Sequence, residues 1–84
     1  MFKNKSITGK NNICGKNVFR LRNKQMPKMS QRALADKLQI MGLDVDKNAV
    51  QRIESGQRFV TDIELIYLAE AFNVKIEELI EDLK

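Results

Sequence analysis

Histidine and tryptophan are absent from this 84-residue sequence, and cysteine and proline occur once each, at Cys14 and Pro27. A single thiol cannot form an internal disulfide, and a chain without histidine has neither an imidazole for acid–base catalysis nor a second strong zinc ligand. These absences exclude Ser-His-Asp and Cys-His catalysis together with histidine–metal chemistry. The acidic residues show no paired spacing of the kind that a carboxylate enzyme needs. We therefore expect no enzymatic activity, no metal and no cofactor.

Long apolar runs are also lacking. None approaches the roughly 20 residues that are needed to cross a bilayer. The lysines near the N-terminus are not followed by the apolar core of a signal peptide. The length suits one small domain. We expect a cytoplasmic protein with no membrane partner and no small-molecule substrate.

Acidic residues are scarce in the first part of the chain and abundant in the last. Residues 1–60 carry thirteen Lys/Arg and four Asp/Glu, a net charge of +9, whereas residues 61–84 carry two and seven, a net charge of −5. A solvated surface usually mixes its charges. This segregation indicates that the first part faces a polyanion and that the last part faces away from it.

The N-terminal residues 1–12 are polar, rich in asparagine and lysine, and without periodicity. They predict a flexible basic arm ahead of a domain over residues 13–84. Two interpretations of the arm stay open at this point: plain disorder, which the composition favours, or a segment that follows a phosphate backbone. Cys14, just after the arm, is expected to be a bystander thiol or a minor apolar contact.

Helix signals begin directly after the arm. A first helix is predicted from about Ile13 to about Gln25, because Pro27 disfavours helical conformation in the residue before it and cannot donate a backbone hydrogen bond. Ser30 is a suitable N-cap for a second helix, and Gly42 supplies a left-handed end to it. The segment between these two residues reads "QRALADKLQIM".

Three further helices are predicted in the second half of the chain. Asp46 caps a third helix of about nine residues that ends at Gly56, and Thr61 forms a capping box with Glu64 at the start of a fourth, over Asp62 to about Phe72. A fifth is predicted over "KIEELIEDLK", residues 75–84. No segment shows strand alternation, so the sequence predicts an all-α fold of five short helices.

Helical spacing also predicts the buried faces of the last three helices. The third helix is short and cannot be stable alone, so its apolar residues must dock onto the domain. The predicted inward residues are Val50 and Ile53 in the third helix; Ile63, Leu65 or Ile66, Ala69 and Phe72 in the fourth; and Ile76, Leu79, Ile80 and Leu83 in the fifth.

The order of the second and third helices is typical of a helix-turn-helix. The first of the pair contains the dipeptide "LA", a glycine-containing turn follows, and the next helix has a small apolar inner face. The sequence resembles the phage repressor and Cro-like (Xre-type) DNA-binding domains. The matching segments are "LRNK", "SQRALADKL", "AVQRIESGQR", "VTDIELIYLAEAFNV" and "IEELI", which together extend from about Gly15 to Leu83.

This resemblance implies a lambda-repressor-like domain in which the second and third helices form the helix-turn-helix. It implies a sequence-specific transcriptional regulator, a repressor that binds double-stranded DNA as a homodimer at a roughly palindromic operator. Ile80 and Leu83 motivate the dimer, because so small a core has little room for both. The alternative is that these two side chains pack internally or lie in a frayed end.

The resemblance also implies which residues contact DNA. In such domains the start of the second helix contacts a phosphate, the start of the third helix and a residue one turn later touch base edges, and the residues after that helix meet the DNA backbone. By position, the phosphate contacts are Ser30 and Gln31, the base contacts are Lys47, Asn48 and Arg52 with Gln51 beside them, and the last backbone contacts are Gln57 and Arg58.

The chemistry of these residue types fits the assignment independently. Asparagine pairs bidentately with adenine, arginine and lysine pair with guanine, and serine, glutamine and arginine suit phosphates. The alternative is that the polar residues of the third helix form only a solvated face. Arg22 and Glu54 are not predicted to contact DNA. The resemblance implies that they form a structural ion pair, because they match a pair that does so in many family members.

The spacing departs from the family pattern between the second and third helices. Ala35 and Val50 are fifteen positions apart, where a compact helix-turn-helix has about ten, and Gln39 stands in place of the turn glycine. We expect one extra turn on the second helix and a longer connection, "LDVD". The joint "MPKM", between the first and second helices, is about two residues longer than usual.

Two other function classes are compatible with the scaffold. A protein-interaction module, such as an adaptor or antitoxin-like partner, would keep the fold without binding DNA, and its binding would depend weakly on salt. An RNA-binding protein is the third class. The five aromatic residues do not form a recognisable stacking platform for it.

Overall fold

The computed structural model describes residues 9–81 of the chain. These residues contain five α-helices and no strand, which confirms the predicted all-α class. Within the same range, no helix is both long enough and apolar enough to cross a membrane. The helices are α1 (Gly15–Lys24), α2 (Gln31–Met41), α3 (Lys47–Ser55), α4 (Asp62–Phe72) and α5 (Glu77–Ile80).

The predicted capping residues delimit α2, α3 and α4. The side chain of Ser30 accepts a hydrogen bond from a backbone N–H of α2, and Asp46 does the same at α3. Thr61 and Glu64 form the complete capping box at the start of α4. Gly42 and Gly56, with φ of 108° and 83°, end α2 and α3 in the left-handed region, where a side chain would be strained.

The core lies where α1, α2 and α3 meet and is closed by α4 and α5. Helix α2 packs against α3, and α3 packs against α1. The fully buried side chains come from all five helices, so no part of the bundle forms a core of its own. The largest of them are Val18, Leu34, Leu38, Val50, Ile53, Leu68 and Leu79.

Helix α2 has the extra turn that the spacing predicts, and it continues to Met41. The amide of Gln39 donates to the Val45 carbonyl oxygen at 2.6 Å, which holds the connection between α2 and α3 against the end of α2. Val45 is buried in the core. The longer connection is therefore a packed segment that leads the chain directly into α3.

The predicted inner face of α4 is partly wrong. Ala69 and Phe72 are buried as predicted, and Leu65 is half-buried, but Ile63 and Ile66 are 62% and 47% exposed. The sequence "DIELIYLAEAF" has apolar residues on several faces of the helix, so periodicity could not select one face. The side of α4 that faces the other helices is set by Leu68, Ala69, Ala71 and Phe72.

The predicted last helix is shorter than expected in the described residues. Helix α5 covers only Glu77–Ile80. Leu79 is fully buried as predicted, whereas Ile76 and Ile80 are 37% and 43% exposed, and Leu83 lies outside the described residues. The amide of Asn17, on α1, donates to the carbonyl oxygens of Leu79 and Glu81 at 2.8 and 2.7 Å. These bonds fasten the end of α5 to α1.

The start of α1 lies against the end of α3, and the approach is so close that only glycine fits at position 15. A Cβ atom at Gly15 would collide with the backbone carbonyl oxygen of Ile53 and would lie 2.9 Å from that of Glu54. Both obstacles are backbone atoms, which cannot move aside as a flexible side chain can. The positive end of the α1 dipole therefore meets the negative end of α3.

We predict that Gly15→Ala destabilises the protein by about 1–3 kcal/mol, because the added methyl group pushes α1 away from α3. Alanine at an unhindered helical position would instead stabilise by up to about 1 kcal/mol relative to glycine. Urea unfolding measures the difference. Lys16→Ala, at the exposed neighbouring position, is the control, and a Gly15→Ala protein as stable as the control would contradict the close contact.

Candidate nucleic-acid interface

Helix α3 presents one apolar side to the core and one polar side to solvent. Ala49, Val50 and Ile53 are buried. The four predicted base-contacting residues are all exposed, and their spacing places them on a single face. Within residues 9–81, no hydrogen bond or ion pair engages their side chains. We call this set the α3 outer face: Lys47, Asn48, Gln51 and Arg52.

A concave polar groove of about 370 Å³ runs between α2 and the beginning of α3. Lys47 and Asn48 of the α3 outer face form one wall, and Arg32 and Asp36 of α2 lie on the other. The lining is largely polar, unlike the apolar pockets that hold most small ligands. Arg32 is not among the DNA contacts predicted from the sequence. Its position on the exposed side of α2, two residues after Ser30, could have indicated it.

The α2 N-terminus holds the two residues predicted to contact phosphate. The Ser30 hydroxyl is occupied as an N-cap, accepting from the Ala33 N–H at 3.0 Å. The Gln31 amide donates to Glu54 at 3.0 Å, so one of its two N–H groups is already used inside the protein. Both residues remain near the surface, where the unpaired N–H groups of the first helical turn can receive an anion.

Arg22 and Glu54 form the expected ion pair between α1 and α3. The guanidinium donates two hydrogen bonds to the carboxylate, at 2.6 and 3.1 Å, and a third to the Met29 carbonyl oxygen at 2.9 Å. The two side chains are only 10% and 7% exposed. Because Gln31 also donates to this carboxylate, the pair joins α1, the start of α2 and the last turn of α3.

The loop after α3 contains the last two predicted DNA contacts, and their side chains have different surroundings. Gln57 is exposed, but the Arg58 guanidinium donates two hydrogen bonds to Glu64, at 3.1 and 3.0 Å. Burial by itself raises the pKa of Glu64, but the hydrogen bonds from Arg58 and Thr61 and the positive charge of Arg58 outweigh it and lower that pKa. The carboxylate is therefore held ionised. The sequence pattern predicts the capping-box role of Glu64 but not its ion pair with Arg58.

The end of the predicted N-terminal arm is attached to the domain. Lys10, Asn11 and Asn12, which we call the strap, hydrogen-bond to the end of α3 and to the loop after it. These three residues therefore do not belong to a free arm. The remaining arm residues 1–8 lie outside the described range. Sequence periodicity could not detect the strap, because its bonds join residues more than forty positions apart.

Cys14 is buried in the core beside the start of α1. Burial raises the pKa of its thiol to about 11. The side chain is thus a protonated thiol packed in the core, and it donates to Asn12 Oδ1 at 3.7 Å. A buried neutral thiol is a poor nucleophile.

The fold and the site together define a helix-turn-helix DNA-binding domain, in which α2 and the core hold α3 so that its outer face stays free. A family model described as "Helix-turn-helix" matches residues 20–79. The chain belongs to this helix-turn-helix family, of the Xre and Cro-like type, which confirms the resemblance noted in the sequence. It is a DNA-binding transcription regulator of that class.

Among solved structures, the chain is similar to the restriction-modification controller protein C.AhdI from Aeromonas hydrophila. The two share 29% sequence identity, and the alignment covers 77% of this chain and 88% of that protein, with a TM-score of 0.64. A search of curated protein sequences found no match.

We predict that Glu54→Ala lowers the free energy of unfolding by about 3–5 kcal/mol, because it leaves the buried Arg22 guanidinium without its counter-charge. Stability should fall before sequence preference changes, since Glu54 lies behind the α3 outer face. Urea unfolding measures the first effect, and selection of bound DNA at a temperature where the variant is folded measures the second. Loss of DNA binding with an unchanged melting temperature would show that Glu54 acts differently.

Proposed function

We propose that the protein is a repressor that binds a roughly palindromic operator as a homodimer. The observation that carries this proposal is the α3 outer face, whose four polar side chains have no partner among the described residues while the opposite face is buried. Lysine and arginine can read guanine, and asparagine and glutamine can read adenine in the major groove. Repression requires only that the bound protein exclude the transcription machinery from the operator.

Phosphate contacts would come from both sides of this face. The α2 N-terminus offers Ser30, Gln31 and its free backbone N–H groups, and the hydrogen bond from Gln31 to Glu54 keeps it beside the last turn of α3. Gln57 and Arg58 follow that turn in the loop. Arg58 would share its guanidinium between Glu64 and a phosphate. Contacts of this kind set the register of a helix in the groove without reading sequence.

A homodimer is supported by apolar side chains that the monomer leaves in water. Ile63 and Ile66 lie one turn apart on α4; Ile76 directly precedes α5, and Ile80 is its last residue. Helix α5 packs against α4. A second copy would remove this surface from water. Ile80 is thus available for the contact predicted from the sequence. Two chains related by a two-fold axis would read the two halves of a palindrome.

Selection of bound sites from random duplex DNA tests the reading face. We expect the wild-type protein to enrich a defined motif, and Asn48→Ala or Lys47→Ala to relax it at one position each, because each good pair discriminates by about 1–3 kcal/mol. Lys37→Ala, at an exposed position of α2 outside the predicted contacts, should leave the motif unchanged. If neither α3 substitution alters the motif, the assignment of the reading face is wrong.

Equilibrium sedimentation with the selected duplex tests the dimer. We expect two protein chains per full site, and we expect Ile63→Lys combined with Ile66→Lys to prevent the second chain from binding cooperatively. Ile40→Lys is the matched control, because Ile40 is 88% exposed but lies on α2, outside the proposed dimer surface. A complex of one chain per full site would remove the dimer from the proposal.

The same exposed apolar residues favour a second candidate, an adaptor or antitoxin-like module that binds another protein. The two functions differ in their dependence on salt. DNA binding should weaken steeply as salt rises, because each neutralised phosphate releases counterions. A protein-interaction module would bind its partner almost independently of salt and would enrich no DNA motif.

A further inference from the structure

Asn12 connects the start of α1 to the end of the recognition helix α3 through every polar atom of its side chain. Its Oδ1 accepts from the Gly15 N–H at 2.8 Å and so satisfies a backbone donor in the first turn of α1. Its Nδ2 donates to the Ile53 carbonyl oxygen at 3.1 Å and to the Arg58 carbonyl oxygen at 2.7 Å. One amide therefore holds three backbone groups: one in α1, one in the last turn of α3 and one in the loop beyond it.

The other two strap residues extend this attachment along the same stretch of backbone. Asn11 donates from its backbone N–H to Gly56 at 2.8 Å and from its side chain to Gln57 at 2.7 Å. The Lys10 ammonium donates to the Ser55 carbonyl oxygen at 3.2 Å and places its positive charge at the negative end of the α3 dipole. The Ser55 carbonyl oxygen, at the end of α3, has no partner within the helix, and the Lys10 ammonium supplies one. The Ile53 carbonyl oxygen accepts from the Gly56 N–H as well as from Asn12.

These bonds converge on the part of the molecule that the proposed function uses. Gln57 and Arg58 are the predicted backbone contacts after α3, and Arg52 of the outer face is one turn away. The N–H groups of Gln57 and Arg58 both return to the Arg52 carbonyl oxygen, at 2.9 and 3.2 Å, so the turn is one hydrogen-bonded unit. A shift of the turn would move both phosphate contacts together.

We infer that Asn12 is a positioning residue for DNA binding, and this inference rests on the proposed function. It acts through the carbonyl groups of Ile53 and Arg58, which it holds so that the end of α3 and the loop after it meet the phosphates in a fixed register. The recognition unit therefore extends beyond the helix-turn-helix itself, to a strap that precedes α1.

The test compares Asn12→Ser with the wild type on a duplex that carries one selected half-site, so that contacts between protein chains do not contribute. Serine keeps a side-chain oxygen as an acceptor near the Gly15 N–H and adds no charge, but its side chain is too short to reach both carbonyls. Binding is measured at a temperature where both proteins are fully folded. We expect about tenfold weaker affinity, and a salt dependence whose slope is smaller by about one phosphate contact.

Asn17→Ser is the matched control. Asn17, on α1, also donates its amide to two backbone carbonyls. Those carbonyls belong to Leu79 and Glu81 and not to α3 or the loop after it. The control should bind the half-site within about twofold of the wild type once it is fully folded. A general loss of stability would affect both variants, whereas loss of positioning affects Asn12→Ser alone.

Amide hydrogen exchange provides a measurement that does not need DNA. The N–H groups of Gly56, Gln57 and Arg58 should exchange faster in Asn12→Ser, while that of Val74, which closes the end of α4 in the same way, should not change. Half-site affinity within twofold of the wild type, or unchanged exchange at the turn, would overturn the inference. If the wild type binds no duplex, the proposed function fails, and exchange still decides whether Asn12 holds the turn.

Discussion

A helix of nine residues cannot be stable by itself, so α3 has to be held by tertiary contacts while one of its faces stays free. The remaining architecture of the described chain follows from this requirement. Val50 and Ile53 anchor the inner face in the core, and the polar groups at both ends of the helix are fastened separately. Asp46 caps its start, Glu54 ties its last turn to Arg22, and the strap occupies the carbonyls at its end.

The buried ion pair and the strap serve different purposes in this arrangement. Arg22 and Glu54 are almost inaccessible, and removing one partner would leave a buried charge uncompensated, so the pair chiefly maintains the packing of α1 against α3. The strap bonds of Lys10 and Asn11 are exposed, and the strap joins one ammonium and two neutral amides to backbone carbonyls. Such bonds contribute modestly to stability but restrict where the turn can lie. Under the proposed role of Asn12, the stability and the orientation of α3 depend on different residues.

Charge and apolar surface are separated across the domain in a way that suits two kinds of contact. The basic first part of the chain includes the α3 outer face, and the acidic last part includes α4 and α5 with their exposed isoleucines. Arg58 and Glu64 lie where the two parts meet, and their ion pair joins the loop after α3 to the first turn of α4. This pair joins the side proposed to face DNA to the side proposed for a second copy.

The sequence alone determined the features that depend on neighbouring residues. Helix ends are set by local hydrogen bonds and by glycine conformation, so Ser30, Asp46 and Gly56 marked them correctly. The spacing between Ala35 and Val50 likewise predicted the extra turn of α2. The α3 outer face followed from helical geometry, because a short amphipathic helix has only one side left for its polar residues.

The features that depend on distant parts of the chain were set by the packing of the helices. Helix α4 is apolar on several sides, so its buried face was set by the space that the other helices left, and Ile63 was predicted wrongly. The second partner of Glu64 and the attachment of Asn12 join residues that the sequence does not place together. Asparagine and lysine before a helix are typical of a mobile arm. They become a strap because folding brings the backbone carbonyls at the end of α3 and in the loop after it within reach.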